Sequence, residues 1–373
     1  MASGRRALMT SERKAAMTAF LSAAGWGDAT HHPLPGDAST RRYIRLERDD
    51  QRAMLMDAPA AAEAPICPPD AGPQDRAALG YNAVARLAGS NLTAFAGLAD
   101  ALCERGFSAP TVLASDTQSG FLLLEDLGDD LIARLLPGDL HEGTLYAKAV
   151  DVLAAIYRSS FPDAVERDGE AWPLLAYDAT ALMAEADLFL DWFLDKHAGA
   201  APDAAARDHW REIWTRAFER LDHCAPGLVL RDFHAENLIY LPEREGEGEI
   251  GLLDFQDALI GHPAYDLVSL IEDARRNVER KLAVPLKARF VEKAGIEDVA
   301  GFDSAYAVLG AQRNAKILGI FVRLAVRDGK ARYLDLLPRV ARHFVADLQH
   351  PALMPLHMWM KSHAPQVFAE AHK

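Results

Sequence analysis

The residues best suited to chemistry lie close together in the stretch 227–257, GLVLRDFHAENLIYLPEREGEGEIGLLDFQD. Asp232 is followed five residues later by Asn237, and Asp254 comes directly after a second apolar run. Between the two apolar runs, a proline, two glycines and four glutamates predict a solvated turn that joins two short strands. This hairpin-like unit should bring the three side chains to one edge. Two carboxylates and an amide offer the oxygen ligands that a hard divalent cation requires, and a carboxylate can also accept a proton from a hydroxyl.

The elements that must position these residues are strands early in the chain and helices later on. After a first helix, the sequence predicts strands over 42–47 and 52–57. Apart from the hairpin, the chain becomes mainly helical from residue 131 onward. The other predicted elements are, in order, helices over 75–88 and 92–105, strands over 109–114 and 121–124, and helices over 145–161, 180–196 and 208–222.

Composition limits the partners that this chemistry could serve. With 40 basic and 54 acidic residues, the net charge of −14 weighs against a nucleic-acid or anionic-membrane surface. A hydrophobic content of 50% over 373 residues is ordinary for an enzyme with two lobes. No apolar run is as long as a membrane span, and three scattered cysteines fit a reducing compartment. We therefore expect a cytoplasmic enzyme that acts on a small molecule; the oligomeric state stays open, and a monomer is compatible with the sequence.

The order of these motifs resembles a protein kinase, and more closely the aminoglycoside phosphotransferase and choline kinase superfamily. In that superfamily the asparagine follows a D-x-H-x-x pattern, which Asp232 and His234 match, and a separate aspartate after a strand matches Asp254. The resemblance implies a bilobal protein-kinase-like fold of the α+β class. A small N-terminal lobe with an antiparallel sheet would cover 1–126, and a larger, mainly helical C-terminal lobe would cover 127–373.

The same resemblance implies ATP and Mg²⁺ as cofactors and gives roles to particular residues. Asp232 would be the catalytic base, and Asn237 and Asp254 would hold Mg²⁺. The main chain of Glu125 and Leu127 would bind the adenine edge at the hinge between the lobes. The turn before the first strand would cover the phosphates, although an ordinary helix-to-strand loop is the alternative. The polar residues of this turn are Asp37, Ser39, Thr40 and Arg41.

Four residues are predicted to contact the acceptor. Glu185 and Trp192 lie on one predicted helix, where an acid could bind sugar hydroxyls and a ring could stack on a sugar face. An ordinary core stripe is the alternative for that helix. His234 belongs to the D-x-H pattern of the family. Arg313 shares a helix face with Lys316, which predicts either a solvated face or a contact with the acceptor.

Two positions depart from the kinase pattern. The strand at 52–57 has no lysine to pair with the phosphates, so either a nearby arginine takes over, or Mg²⁺ carries more of the charge, or the site is weakened. The arginines nearby are Arg41, Arg42, Arg45, Arg48 and Arg52. Leu230 stands where the family often has a histidine, which affects how the catalytic loop is held. Asp266, predicted as a helix N-cap, would brace that loop.

Several segments carry a closer resemblance, to the bacterial anomeric N-acetylmuramate and N-acetylglucosamine kinases. They include MLMDAP, FLLLEDLG and QRNAKILGIF, and they are spread over most of the chain. The resemblance implies ATP-dependent phosphorylation of the anomeric hydroxyl of an amino sugar, in cell-wall sugar recycling. Two alternatives stay open: an enzyme of the same fold acting on an aminoglycoside, choline, homoserine or another sugar, and a nucleotide-binding pseudokinase.

Overall fold

An antiparallel sheet forms the N-terminal part of the computed structural model, which describes residues 10–35, 41–59, 65–136 and 142–373. Its strands lie in the order β1-β2-β3-β5-β4. Their bounds are Thr30–Pro33 for β1, Arg42–Arg48 for β2, Gln51–Asp57 for β3, Val112–Asp116 for β4 and Phe121–Glu125 for β5. Alternation along β2 and β3 places Leu46 and Leu55 on one face, where they pack with Leu21 of helix α1, Ser11–Ala23. Met56 and Leu122 face the main core instead.

The C-terminal part is mainly helical and packs around one long helix. That helix, α11, spans Val299–Val326 and is buried along most of its length. The preceding helices are α2 Pro73–Leu79, α3 Tyr81–Val84, α4 Leu92–Cys103, α5 Ile132–Leu135, α6 Glu142–Arg158, α7 Ala179–Leu188, α8 Ala204–Phe218, α9 Ala264–Ile271 and α10 Arg280–Ala294. After α11 come α12 Leu337–Asp347, α13 Met354–His363 and α14 Gln366–Ala371. Among the described residues, none of the helices combines the length and the apolar composition that crossing a bilayer requires.

Two small antiparallel ladders carry the stretch that the sequence singled out. Strand β9, Leu238–Tyr240, pairs with β10, Ile250–Leu252, which is the predicted hairpin. Strand β8, Gly227–Val229, pairs instead with β11, Leu259–Gly261. The catalytic loop therefore crosses from one ladder to the other.

Two predicted helices differ from the structure. The helix predicted over 75–88 is broken at Gly80, whose φ of 101° a residue with a Cβ rarely adopts. The helix predicted over 180–196 ends as an α-helix at Leu188 and continues as a π-helix over Phe189–His197. α11 packs tightly against the point of change, since a Cβ on Gly319 would lie 2.3 Å from the Leu188 carbonyl oxygen. The predicted lobe boundary after residue 126 falls just beyond β5 and stays a prediction.

Candidate active site

The loop that carries Asp232 is held by a buried carboxylate. The backbone N–H groups of Leu230 and Arg231 donate to the two carboxylate oxygens of Asp266 at 2.6 and 2.8 Å. Arg231 has a φ of 71°, a left-handed conformation that the surroundings must enforce in a residue with a side chain. Asp266 is the third residue of α9 and not its cap, so the bracing prediction is confirmed and the cap prediction is wrong. These bonds fix the main chain directly before Asp232.

Asn237 and Asp254 meet across the hairpin. The Leu253 N–H donates to the Asn237 carbonyl at 3.0 Å, which places Asp254 beside Asn237. The Asn237 side-chain Nδ2 donates to the Asp232 carbonyl at 2.9 Å and so leaves Oδ1 as an acceptor. Asp254 is left-handed at φ 57°. The structure thus brings the three residues predicted for catalysis and metal binding together.

Negative charge is concentrated at Asp254. Desolvation and then the nearby Asp232 carboxylate raise the pKa of Asp254 to about 6, whereas Gln256 and Arg41 oppose the shift. Gln256 Nε2 donates to Asp254 Oδ1 at 3.0 Å, and the Arg41 guanidinium lies 3.6 Å from the same oxygen. About 48% of the Asp254 side chain is exposed. Two neighbouring acids, one of them accessible, favour a bound cation.

The donor set fits Mg²⁺ better than a transition metal. The described residues contain no group of three His, Cys, Asp or Glu side chains that could hold a metal by themselves. Mg²⁺ is usually held by one or two protein oxygens, with phosphate oxygens and water completing its octahedron. Asn237 Oδ1 and the Asp254 carboxylate are such oxygens.

A buried ionic cluster lies behind the catalytic loop. Glu185 has no exposed surface, and its carboxylate accepts from Arg231, Tyr177, Gln312 at 3.2 Å and Lys316 at 2.8 Å. Burial raises the pKa of Glu185, but the positive charges of Lys316 and Arg231 outweigh it and hold the pKa at about 2. Glu185 therefore holds the residue before Asp232. The predicted sugar contact of Glu185 stays a prediction, and this burial favours a positioning role.

The first prediction concerns Glu185→Gln, which should lower the free energy of unfolding by about 3–5 kcal/mol. The substitution keeps the shape but leaves Arg231 and Lys316 buried without a counter-charge. Urea unfolding at pH 7 measures the loss. Glu212→Gln makes the same change on the exposed face of α8 and should alter stability by less than about 0.5 kcal/mol.

Measuring the free energy of unfolding at several pH values isolates the contribution of the Glu185 charge. The folded pKa of Glu185 is about 2 and its ordinary value is 4.5, so ionised Glu185 stabilises the fold above pH 4.5. That contribution is lost as the pH falls toward 2. The wild type and Glu185→Gln should therefore converge in stability on acidification. Equal stability of the two proteins at pH 7 would contradict the role of the cluster.

The predicted nucleotide contacts fall into three groups. Asp37, Ser39 and Thr40 lie outside the described residues. Arg41 is buried against Asp254, and its guanidinium donates to the Gly89 carbonyl at 2.7 Å. At the predicted hinge, the Glu125 N–H donates to the Thr111 carbonyl at 2.8 Å, which leaves only its carbonyl for a ligand.

Leu127 carries the other predicted hinge contact. Its side chain packs against Ile239 and Leu241 at the catalytic hairpin. Within the described ranges, its main-chain N–H and carbonyl make no hydrogen bond. The predicted adenine contact of Leu127 stays a prediction.

The predicted acceptor residues do not all meet. His234 lies on the catalytic loop, where its N–H donates to the Asp232 carbonyl at 3.1 Å and its Nε2 lies 3.3 Å from the Arg275 guanidinium. Arg313 is buried on α11, and its charge acts on His234. Trp192 is partly buried on the π-helix, which packs against α11 and carries none of the residues predicted for catalysis or metal binding.

Sequence reasoning missed the charged residues after α9. Arg275 lies beside His234 and pairs with Glu236 at 2.8 Å. Asp273 is buried next to it. The signal was present, because an acidic pair and then an arginine pair follow directly on the apolar helix α9.

An open cavity of about 410 Å³ lies elsewhere. Arg105, Phe107, Arg158 and Glu247 are among its lining residues. It contains none of the residues of the site above. Catalytic geometry, and not cavity size, identifies the candidate site.

Solved structures resemble most of the chain in fold. A choline kinase from Streptococcus pneumoniae superimposes with a TM-score of 0.56 at 12% identity, covering 89% of this chain and 99% of that one. An ADP-bound aminoglycoside phosphotransferase, APH(2'')-Ib, gives a TM-score of 0.53 at 13% identity over 90% of this chain and 99% of that one. These likenesses confirm the predicted bilobal protein-kinase-like fold.

Sequence comparisons find relatives of much higher identity than these solved structures. An N-acetylmuramate/N-acetylglucosamine kinase of Caulobacter vibrioides is 45% identical over 96% of this chain and 98% of the relative. A protein of the same name from Pseudomonas aeruginosa is 32% identical over 90% of this chain and 89% of the relative. The model of the phosphotransferase enzyme family matches residues 30–302, which include Asp232, Asn237 and Asp254. The chain belongs to the phosphotransferase enzyme family.

Proposed function

We propose that the protein is an ATP- and Mg²⁺-dependent kinase that phosphorylates the anomeric hydroxyl of N-acetylmuramate, N-acetylglucosamine or both. The observation that carries the proposal is the 45% identity to a kinase named for these two sugars, over 96% of the chain. Asp232, Asn237 and Asp254 support it, because they have the types and the mutual geometry that phosphoryl transfer needs. Recycling of cell-wall sugars is the corresponding role in the cell.

Asp232 acts on the acceptor hydroxyl. The hydroxyl oxygen attacks the γ-phosphorus of ATP, the bond from that phosphorus to the β,γ-bridging oxygen breaks, and ADP leaves with that electron pair. The hydroxyl proton passes to the Asp232 carboxylate. Because Asp266 fixes the backbone just before it, Asp232 is held in place for an in-line approach.

Asn237 and Asp254 would hold Mg²⁺, which would supply positive charge to neutralise the phosphates and the negative charge that develops on the leaving oxygen. Arg41 lies beside Asp254 and takes the place of the lysine that the strand at 52–57 lacks. An arginine in this place binds phosphate oxygens through two N–H groups at once, as a lysine does not. The protein thus has a substitute for the missing lysine, which favours an active enzyme over a pseudokinase.

The second prediction concerns Arg41→Met, which should lower kcat/KM for ATP about 10- to 100-fold because a charge-assisted hydrogen bond to phosphate is lost. Initial rates at varied ATP measure it. Arg52→Met removes an exposed arginine of β3 that pairs with Glu47, and this control should retain wild-type kinetics. Wild-type kcat/KM for ATP in Arg41→Met would remove Arg41 from the nucleotide site.

The proposal is tested by ³¹P NMR of the protein with Mg-ATP and each sugar in turn. We expect a new sugar-phosphate resonance coupled to the anomeric proton. Choline, homoserine and an aminoglycoside serve as comparison acceptors. Transfer to one of these and to neither amino sugar would replace the proposed acceptor. Tight Mg-ATP binding without transfer to any acceptor would favour the pseudokinase.

A further inference from the structure

A group of polar side chains lies beside the catalytic loop, and the steps above use none of them. It is called the acceptor-side cluster and consists of His234, Asp273, Arg275, Arg313 and His343. Its members come from the catalytic loop, the segment after α9, α11 and α12. Side chains of residues far apart in sequence thus come together near His234, two positions after Asp232.

Arg313 is the unusual member. Only 4% of it is exposed, yet in the described part of the chain it forms neither an ion pair nor a hydrogen bond, and its NH1 atom is fully buried without a partner. Two other buried arginines are matched: Arg76 pairs with Asp178 at 2.6 Å, and Arg231 pairs with Glu185. A buried guanidinium without a counter-charge is costly, so this position calls for an anion.

Neighbouring atoms in the cluster also lack partners. Within the described residues these buried atoms are Nδ1 of His234, Nε2 of His343 and Oδ2 of Asp273. Burial, and then the positive charges of Arg275 and Arg313, lower the pKa of His234 to about 4. Burial, and then the positive charges of Arg313 and Arg339, lower the pKa of His343 to about 4 as well. Both histidines are therefore neutral at pH 7 and offer hydrogen bonds without supplying the anion.

Glu272, a buried acid on which the charge of Arg313 acts, is already engaged together with Asp347. Asn314 Nδ2 donates to Glu272 at 2.8 Å and to Asp347 at 3.1 Å. Burial, and then the Glu272 charge, raise the pKa of Asp347 well above its ordinary value, and burial raises that of Glu272. This pair therefore carries less than its full negative charge. Asp266 accepts from the main chain of the catalytic loop, and Asp273 accepts from the Arg275 N–H. In the described part of the chain, none of these four acids forms an ion pair with Arg313.

We propose that Arg313 binds a carboxylate of the acceptor and so determines the preference for an acidic over a neutral sugar. On the proposed function, on which this inference rests, the carboxylate is that of the lactyl ether at C3 of N-acetylmuramate. C3 lies two bonds from the reacting C1, so residues that flank Asp232 meet its substituent. Arg275, 30% exposed and in contact with His234, forms the solvent side of the same region.

The test compares Arg313→Met and Arg313→Lys with the wild type, using N-acetylmuramate, its methyl ester and N-acetylglucosamine. The ratio of kcat/KM for N-acetylmuramate to that for N-acetylglucosamine should fall about 10- to 100-fold in Arg313→Met, the range expected for a charged hydrogen bond. The loss should appear mainly in KM, because the contact is remote from the reacting bonds. Esterification of the carboxylate should lower kcat/KM of the wild type by a similar factor. In Arg313→Met, kcat/KM should be nearly the same for N-acetylmuramate and its methyl ester.

Arg313→Lys keeps the buried charge beside Glu272 and separates recognition from folding. It should fold like the wild type and show a smaller selective loss, since an ammonium binds a carboxylate less specifically. If Arg313→Met does not fold, an unchanged sugar ratio in Arg313→Lys overturns the inference. Equal losses for both sugars in either variant also overturn it. A wild type that phosphorylates neither sugar refutes the proposed function instead, so the two failures are distinguishable.

Discussion

Replacing Asp232 with asparagine should lower kcat by about 10²–10⁴-fold and leave the dissociation constant of Mg-ATP nearly unchanged. The amide keeps the shape of the side chain but cannot take up the hydroxyl proton. The contacts that hold this position use its main chain, since its N–H donates to Leu230 and its carbonyl accepts from Asn237. The loop should therefore keep its conformation. A coupled assay for ADP and calorimetric titration with Mg-ATP measure the two quantities.

Asp208→Asn is the matched control, because it makes the same change at an exposed position of α8. It should show wild-type turnover. Turnover in Asp232→Asn within a factor of about three of the wild type would mean that another group takes the proton. A loss of Mg-ATP affinity as large as the loss of kcat would place Asp232 in the metal site instead.

Regular amphipathic elements were predictable because their patterns are local. Buried and accessible residues alternate in the middle of β2 and in the first part of β3, and both strands appear within a residue of the predicted bounds. Strand β1 was missed because THHP is exposed throughout and has no apolar alternation. The hairpin of β6, Ala164–Arg167, and β7, Glu170–Pro173, was also missed, although Asp168-Gly169 is a typical two-residue turn.

The candidate site likewise contains residues that the sequence could predict and residues that it could not. Asp232, Asn237 and Asp254 could be found from spacing because one short hairpin carries them. The acceptor side depends on contacts between segments such as α9 and α11, whose packing no local pattern records. Glu185 illustrates the limit: a glutamate among aromatic residues predicts a sugar contact and a buried ion pair equally well. Only the fold reveals that Arg231 and Lys316 converge on it.

Asp254→Ala should reduce turnover by at least about 10²–10³-fold and should abolish the dependence of ATP affinity on Mg²⁺. The substitution removes the exposed carboxylate of the proposed metal site and leaves Asn237 as its remaining protein oxygen. Titration of the variant with ATP at several Mg²⁺ concentrations measures the linkage. In the wild type the affinity should rise with Mg²⁺, and in the variant it should stay flat.

The Tm of Asp254→Ala distinguishes a metal-binding role of Asp254 from a structural role. Asp254 lies next to Asp232, and the two negative charges oppose each other in the absence of a cation. Removing one of them should leave the Tm unchanged or higher, as expected where function opposes stability. Asp335→Ala, at an exposed position, is the control for loss of a carboxylate and should retain both turnover and the Mg²⁺ effect. A lowered Tm together with an intact Mg²⁺ effect would make Asp254 a structural residue, since a metal ligand contributes its binding energy only when the ion is present.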